Sequence, residues 1–198
     1  NKELDIASRN EVEIYKNNLV RGEDGKLEVS EELKGLGVDV QPAKNTGMIF
    51  LFLNLRSKAL KKLKVRQAIA LAIDLQEIIR VVHNNYASLA HGVLLPGFEN
   101  QGFDPNYKAP YTTKHDVKKA KGLLAEAGHA DGQGIDALTM YIFSGISRYK
   151  KMALCMQKDL AEIGIKLNIV SMPFHDINTK IKDPHSTAWD LSFMGWSI

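Results

Sequence analysis

Lys64-Val65-Arg66-Gln67-Ala68-Ile69-Ala70-Leu71-Ala72-Ile73-Asp74 is the stretch that decides the fold. Val65, Ala68, Ile69, Ala72 and Ile73 recur at three- and four-residue spacing, the pattern of a helix that buries one face. Asp74 followed by Glu77 has the spacing of a capping box, which ends that helix and starts a second one with Ile78, Ile79 and Val82 inward. A third helix reads from Asp116, a good N-cap, through Val117, Ala120, Leu123, Leu124 and Ala127 to a stop at Gly128. Gly122 inside it costs about 1 kcal/mol against alanine, so a close packing neighbour is expected there.

Strands lie between these helices. Ile49-Phe50-Leu51-Phe52-Leu53-Asn54-Leu55 is a continuous apolar run of strand length and predicts a strand buried on both faces. Leu138 to Phe143 and Ile165 to Val170 read as two more, joined by a helix over Ser147 to Ile163 with Met152, Ala153, Met156, Leu160 and Ile163 inward. Phe174 to Lys182 follows Pro173 as a short helix, and Trp189 to Trp196 is a final strand. Helix and strand alternate, so the fold class is α/β.

The N-terminal part is less regular. Leu4-Asp5-Ile6-Ala7 predicts a short strand, and Asn10 to Leu19 a helix with Val12, Tyr15 and Leu19 on one side. A polar turn-rich loop covers Arg21 to Lys26. A short helix follows over Ser30 to Leu36, with Ser30 as N-cap and Gly37 past its end, then Val38-Asp39-Val40-Gln41 as a strand broken by Pro42. From His83 to Thr113 the chain runs long with little periodicity, and such loops usually carry function or wrap something.

Composition narrows the function. The 198 residues, 44% hydrophobic and 25% charged, suffice for one good core. A net charge of +3, with basic and acidic residues interspersed, leaves no nucleic-acid footprint. The densest basic run, Lys58 to Arg66, reads as a solvated loop and first turn. Cys155 is the single cysteine, so no internal disulfide or Cys-based metal site forms, and its place in a helix marks it as a small apolar residue. The longest strongly apolar stretch, Met48 to Leu53, is far short of a membrane span.

Catalytic patterns are missing. The six histidines include no i, i+4 pair of the metalloprotease kind, so no metal is expected. The sequence also lacks a nucleophile elbow, a phosphate-cradling loop and a dinucleotide fingerprint. The aromatic residues say more. Phe174, Trp189, Phe193 and Trp196 crowd the C-terminal end, with Trp189 and Phe193 expected on one face of the last strand and Met194 and Trp196 on the other. Core packing accounts for one such face, and the second suggests a pocket or an interface.

Taken in order, these pieces resemble family 5 of the extracellular solute-binding proteins, the dipeptide, oligopeptide and nickel binders that feed ABC importers. The resemblance is carried by Glu3-Leu4-Asp5-Ile6-Ala7, Phe52-Leu53-Asn54, Lys64-Val65-Arg66-Gln67-Ala68 with Ala72-Ile73-Asp74, the helix from Ala120 to Gly128, Ile163-Gly164-Ile165, and Gly195-Trp196. It implies a periplasmic-binding-protein-like lobe of type II, a mixed sheet flanked by helices, within a two-lobed clamp. Residues 1–45 would be part of the first lobe and its connection to the crossover, and residues 46–198 the second ligand-binding lobe, truncated at its C-terminus. Between Leu19 and Val38 the chain departs from the family, with Val20 to Gly37 as an enlarged connection.

By the same resemblance, the backbone of Thr46-Gly47-Met48 helps to bind an extended ligand at the crossover. Phe174 and Phe193 border side-chain pockets, and the strand bearing Trp196 lies at the cleft. Peptide binders of this kind place an aspartate three residues after that tryptophan, at what would be position 199 here, one past Ile198. The implied function is capture of peptides or a related small solute, and delivery to a membrane permease, with no catalysis, cofactor or nucleic acid. The implied location is the periplasm, or the outer face of the membrane through a lipid anchor outside this chain. Two other readings stand beside it: the ligand-sensing domain of a transcriptional regulator with the same fold, and part of an unrelated α/β enzyme.

Overall fold

A computed structural model describes residues 19–21, 27–35, 47–83, 87–92, 94, 98–107, 111 and 114–197. The expected strands at Leu4 to Ala7 and Val38 to Gln41, and the expected helix from Asn10 up to residue 18, lie outside the described residues. Two units are distinguished, Asn1–Asn45 and Thr46–Ile198.

In the first unit, β1 (Leu19–Arg21) and β2 (Leu27–Val29) form an antiparallel pair with Val20 opposite Glu28, and α1 (Glu31–Gly35) follows. The strands correct two expectations, since Leu19 was expected to end a helix and Arg21 to begin a loop. Three-residue strands are too short to show a period of two, so neither was legible in the sequence. Ser30 does not cap α1 through its side chain either. Its Oγ is buried without a hydrogen-bond partner among the described residues, while its carbonyl accepts from the Lys34 amide at 3.0 Å.

The second unit is built on a four-stranded mixed sheet in the order β3-β6-β4-β5, with β3 Gly47–Leu53, β4 Leu138–Phe143, β5 Leu167–Met172 and β6 Leu191–Ser197. β4 runs parallel to both β5 and β6, and β3 runs antiparallel to β6. β4 is central, and five of its six residues are buried. β3 is an edge strand, so the expectation of burial on both faces fails: Ile49, Phe50 and Leu51 are half-buried and Phe52 is 41% exposed. An apolar run records that a strand packs well but not how many neighbours it has.

α5 (Ser147–Glu162) joins β4 to β5, and α6 (Phe174–Lys182) carries the chain from β5 back past β4 to β6. Right-handed crossovers in opposite directions put these helices on opposite faces of the sheet. By register Phe193 and Phe143 point to opposite faces: Phe193 stacks on Tyr149 of α5, and Phe143, the last residue of β4, packs on Phe174 of α6 and also reaches Tyr149 around the end of the strand. Trp189 instead stacks on Phe52 at 5.9 Å, on the face opposite Phe193, because it precedes β6 and escapes the strand's alternation.

α2 (Leu63–Ala72), α3 (Leu75–His83) and α4 (Val117–Glu126) complete the unit; α2 packs on α4, and both α2 and α3 reach α5. Asp74 caps α3 as expected, its Oδ1 accepting from the Glu77 amide at 2.9 Å. The return half of the box comes from elsewhere. The Asp74 amide donates to Asp159 Oδ2 of α5 at 2.9 Å, and Glu77 turns outward to Lys158 at 3.0 Å. Burial pushes the Asp159 carboxyl above its ordinary range, and the hydrogen bond from the Asp74 amide works against that rise. Asp116 caps α4 through the Lys119 amide at 2.9 Å.

Gly122 is exposed on α4, and a β-carbon there would meet nothing within 4 Å. The expected close packing is therefore not found. Gly122→Ala should accordingly stabilise the protein by about 1 kcal/mol, because the helix loses its most flexible interior residue at no steric cost. A thermal melt that shows no rise in midpoint would contradict this. Among the described residues no helix is long and apolar enough to cross a membrane.

Candidate functional site

Strand directions gather one edge of the sheet. Because β4, β5 and β6 are parallel and β3 is antiparallel, the carboxyl ends of the first three lie beside the amino end of β3. Open α/β sheets bind ligands outside such carboxyl ends. Here the edge assembles Gly47 and Met48, Trp196 and Ser197, the turn Ser144-Gly145-Ile146 leading into α5, and Pro173 leading into α6.

Of the residues expected at a site, Gly47 is exposed and pairs with Ser197, and Met48 is 8% exposed and pairs with Trp196. Phe174 stands 62% exposed at the start of α6. Phe193 is only 3% exposed; it lies in the core beneath Tyr149 and not at the surface. Thr46 and the Trp196 side chain lie outside what the structure describes. Gly195 explains why β6 and β3 can run so close just before Trp196. A β-carbon on it would sit 2.7 Å from the Met48 carbonyl oxygen. Gly195→Ala should therefore push the strands apart and cost about 1 to 3 kcal/mol, read as a lower denaturant midpoint; an unchanged midpoint would remove the close approach from the account.

Sequence reasoning missed the residues that link these parts. Phe174, Phe143, Tyr149 and Phe193 form a continuous aromatic row, with successive ring centroids 5.1, 5.5 and 5.4 Å apart. The Arg148 guanidinium carbon lies 5.2 Å from the Tyr149 centroid, within cation–π range, and its Nε is buried without a hydrogen-bond partner among the described residues. Arg148 and Lys150 occupy the first turn of α5, which contains no acidic residue. Cations there oppose the helix dipole, a local anomaly that was legible in the sequence. Neither α5 nor α6 has a side-chain cap at its first turn, but Asp176 offsets the dipole at the start of α6, so the start of α5 and the Arg148 guanidinium are what favour an anionic group at this edge.

Among the described residues nothing nucleophilic stands out. Burial pushes the Cys155 thiol up, away from the reactive thiolate, and it sits midway along α5 among core neighbours.

The mixed sheet with helices on both faces is the arrangement of a periplasmic-binding-protein lobe of type II. The family profile described as bacterial extracellular solute-binding proteins, family 5 Middle, matches residues 13–198. The chain belongs to that family. It is 33% identical over 173 residues to a dipeptide-binding protein of Pseudomonas aeruginosa, covering 86% of this chain and 30% of the relative. It is 30% identical over 169 residues to the dipeptide-binding protein of Escherichia coli, covering 83% and 29%. The structure of an ABC transporter-associated periplasmic binding protein from Helicobacter pylori in complex with the peptide STSA superposes with a TM-score of 0.68 at 26% identity, covering 96% of this chain and 31% of that one. The chain thus spans about 30% of the length of the relatives it matches.

Proposed function

We propose that residues 46–198 form the second ligand-binding lobe, and residues 1–45 part of the first lobe, of the substrate-binding component of an ABC importer for peptides. The observation that carries this reading is the sheet edge itself, where the backbone at Gly47 and Met48 meets the strand bearing Trp196 beside an aromatic row and Arg148. An extended peptide suits such an edge. Backbone groups of Thr46, Gly47 and Met48 satisfy its main chain, Phe174 and Trp196 take its side chains, and Arg148 with the positive end of α5 takes a carboxylate. Phe193 acts through Tyr149 by holding the aromatic row in place. No bond is made or broken; two lobes closing on the ligand present one shape to the permease in the periplasm or at the outer face of the membrane.

The test is isothermal titration of the intact protein with short peptides. Trp196→Ala should weaken binding by roughly 1 to 3 kcal/mol, the scale of losing a large aromatic contact. An affinity equal to wild type would take Trp196 out of the cleft.

A further inference from the structure

The end of the sheet away from the ligand edge carries a second surface that the binding function leaves unused. Residues 55–66 hold six of the chain's 26 basic residues and none of its 23 acidic ones, whereas the chain as a whole carries only +3. The backbone of this segment is fixed from within. Asn54 Nδ2 donates to the carbonyls of Ser186 and Trp189, Ser57 and Leu60 are buried, and Arg66 Nη1 donates to the carbonyls of Leu60 and Lys61 at 2.7 and 3.0 Å. Between those anchors the chain displays Arg56, Lys58 and Lys61 outward, and among the described residues no acidic side chain pairs with them. Lys62 and Lys64 are engaged, with Ala127 O and Glu126 respectively. Interleaved with the cations, Leu55 and Leu63 are each 57% exposed.

Exposed leucines alternating with unpaired cations on a rigid loop fit an anionic bilayer surface: the cations meet phosphate headgroups while the leucines enter the headgroup boundary. A protein partner fits less well, because protein interfaces are depleted in lysine and built on aromatic and arginine anchors in pockets. We infer that Leu55, Arg56, Lys58, Lys61 and Leu63 form a membrane-docking patch for anionic phospholipid. This surface is independent of the ligand reading.

Co-sedimentation of the intact protein with vesicles tests it. Phosphatidylcholine vesicles containing phosphatidylglycerol should bind the protein, added salt should release it, and pure phosphatidylcholine should not hold it. The triple variant R56E/K58E/K61E should lose more than roughly a hundred-fold in partitioning, since each cation near an anionic surface contributes about five-fold and each glutamate adds repulsion. L55S/L63S should lose about ten-fold while keeping the salt dependence. Both variants change exposed side chains only, so melting midpoints and peptide affinity should match wild type. Equal binding to both kinds of vesicle, or binding unaltered by the triple charge reversal, would overturn the inference. So would binding to a detergent-solubilised permease that requires these residues when lipid does not.

Discussion

Gly164→Ala is expected to cost about 4 kcal/mol or more, a large share of the roughly 5 to 15 kcal/mol by which a domain is usually stable. Gly164 closes the turn between α5 and β5 with φ at 79°, and an alanine in that left-handed conformation loses about 1 to 2 kcal/mol from its own backbone. The larger part comes from a neighbour remote in sequence. A β-carbon on Gly164 would overlap the Asp131 carbonyl, and one on Gly132 would overlap the Gly164 carbonyl. The two turns are backbone against backbone, so neither can yield by rotating a side chain. Gly128→Ala is the control, because Gly128 has φ at 81° but nothing within 4 Å of its missing β-carbon. It should lose only the conformational part. Urea midpoints that fall equally for the two variants would show that the contact between the turns contributes nothing.

Asn54→Ala carries the second large effect, about 3 kcal/mol. Asn54 is 3% exposed and uses its whole amide: Nδ2 donates to Ser186 O at 3.0 Å and Trp189 O at 2.9 Å, and Oδ1 accepts from the Arg56 amide at 3.1 Å. Its own backbone amide donates to Asp190 O, and Asp190 in turn holds the Thr139 amide at 2.7 Å. One residue thus ties the end of β3 to the start of β6 and, through Asp190, to β4. Truncation leaves two carbonyls and an amide unsatisfied, each costing about 1 to 3 kcal/mol when buried, with partial relief from water at the less buried Ser186. Asn54→Asp keeps the acceptor for Arg56 but loses both donations and buries a charge, so it should be worse than alanine. A denaturation series in which aspartate is tolerated better than alanine would contradict this network.

What the sequence made legible follows from how local each signal is. The limits of β4 and α6, and the caps at Asp74 and Asp116, rest on spacings of a few residues and hold in the structure. What depends on partners remote in the chain was hidden. Asp159 completing the cap at Asp74, the facing pair Gly132 and Gly164, and the row from Phe174 to Phe193 are products of packing that no local period encodes. The site falls between these cases. The family resemblance pointed to Thr46, Gly47, Met48, Phe174, Phe193 and Trp196; Arg148 was marked in the sequence only by its cation at a helix start, and Tyr149 came into view when the strand directions fixed which loops share an edge. Gly122 shows the opposite error, where a residue that suggested a packing constraint turns out to face open space.

If this edge belongs to a clamp that holds peptides, native mass spectrometry of the intact protein, purified without denaturation, should find it travelling with a mixture of short peptides, seen as a ladder of added masses that disappears on unfolding. A single metal complex, sugar or metabolite in their place, or a protein that is empty and stays empty when offered peptides, would contradict it.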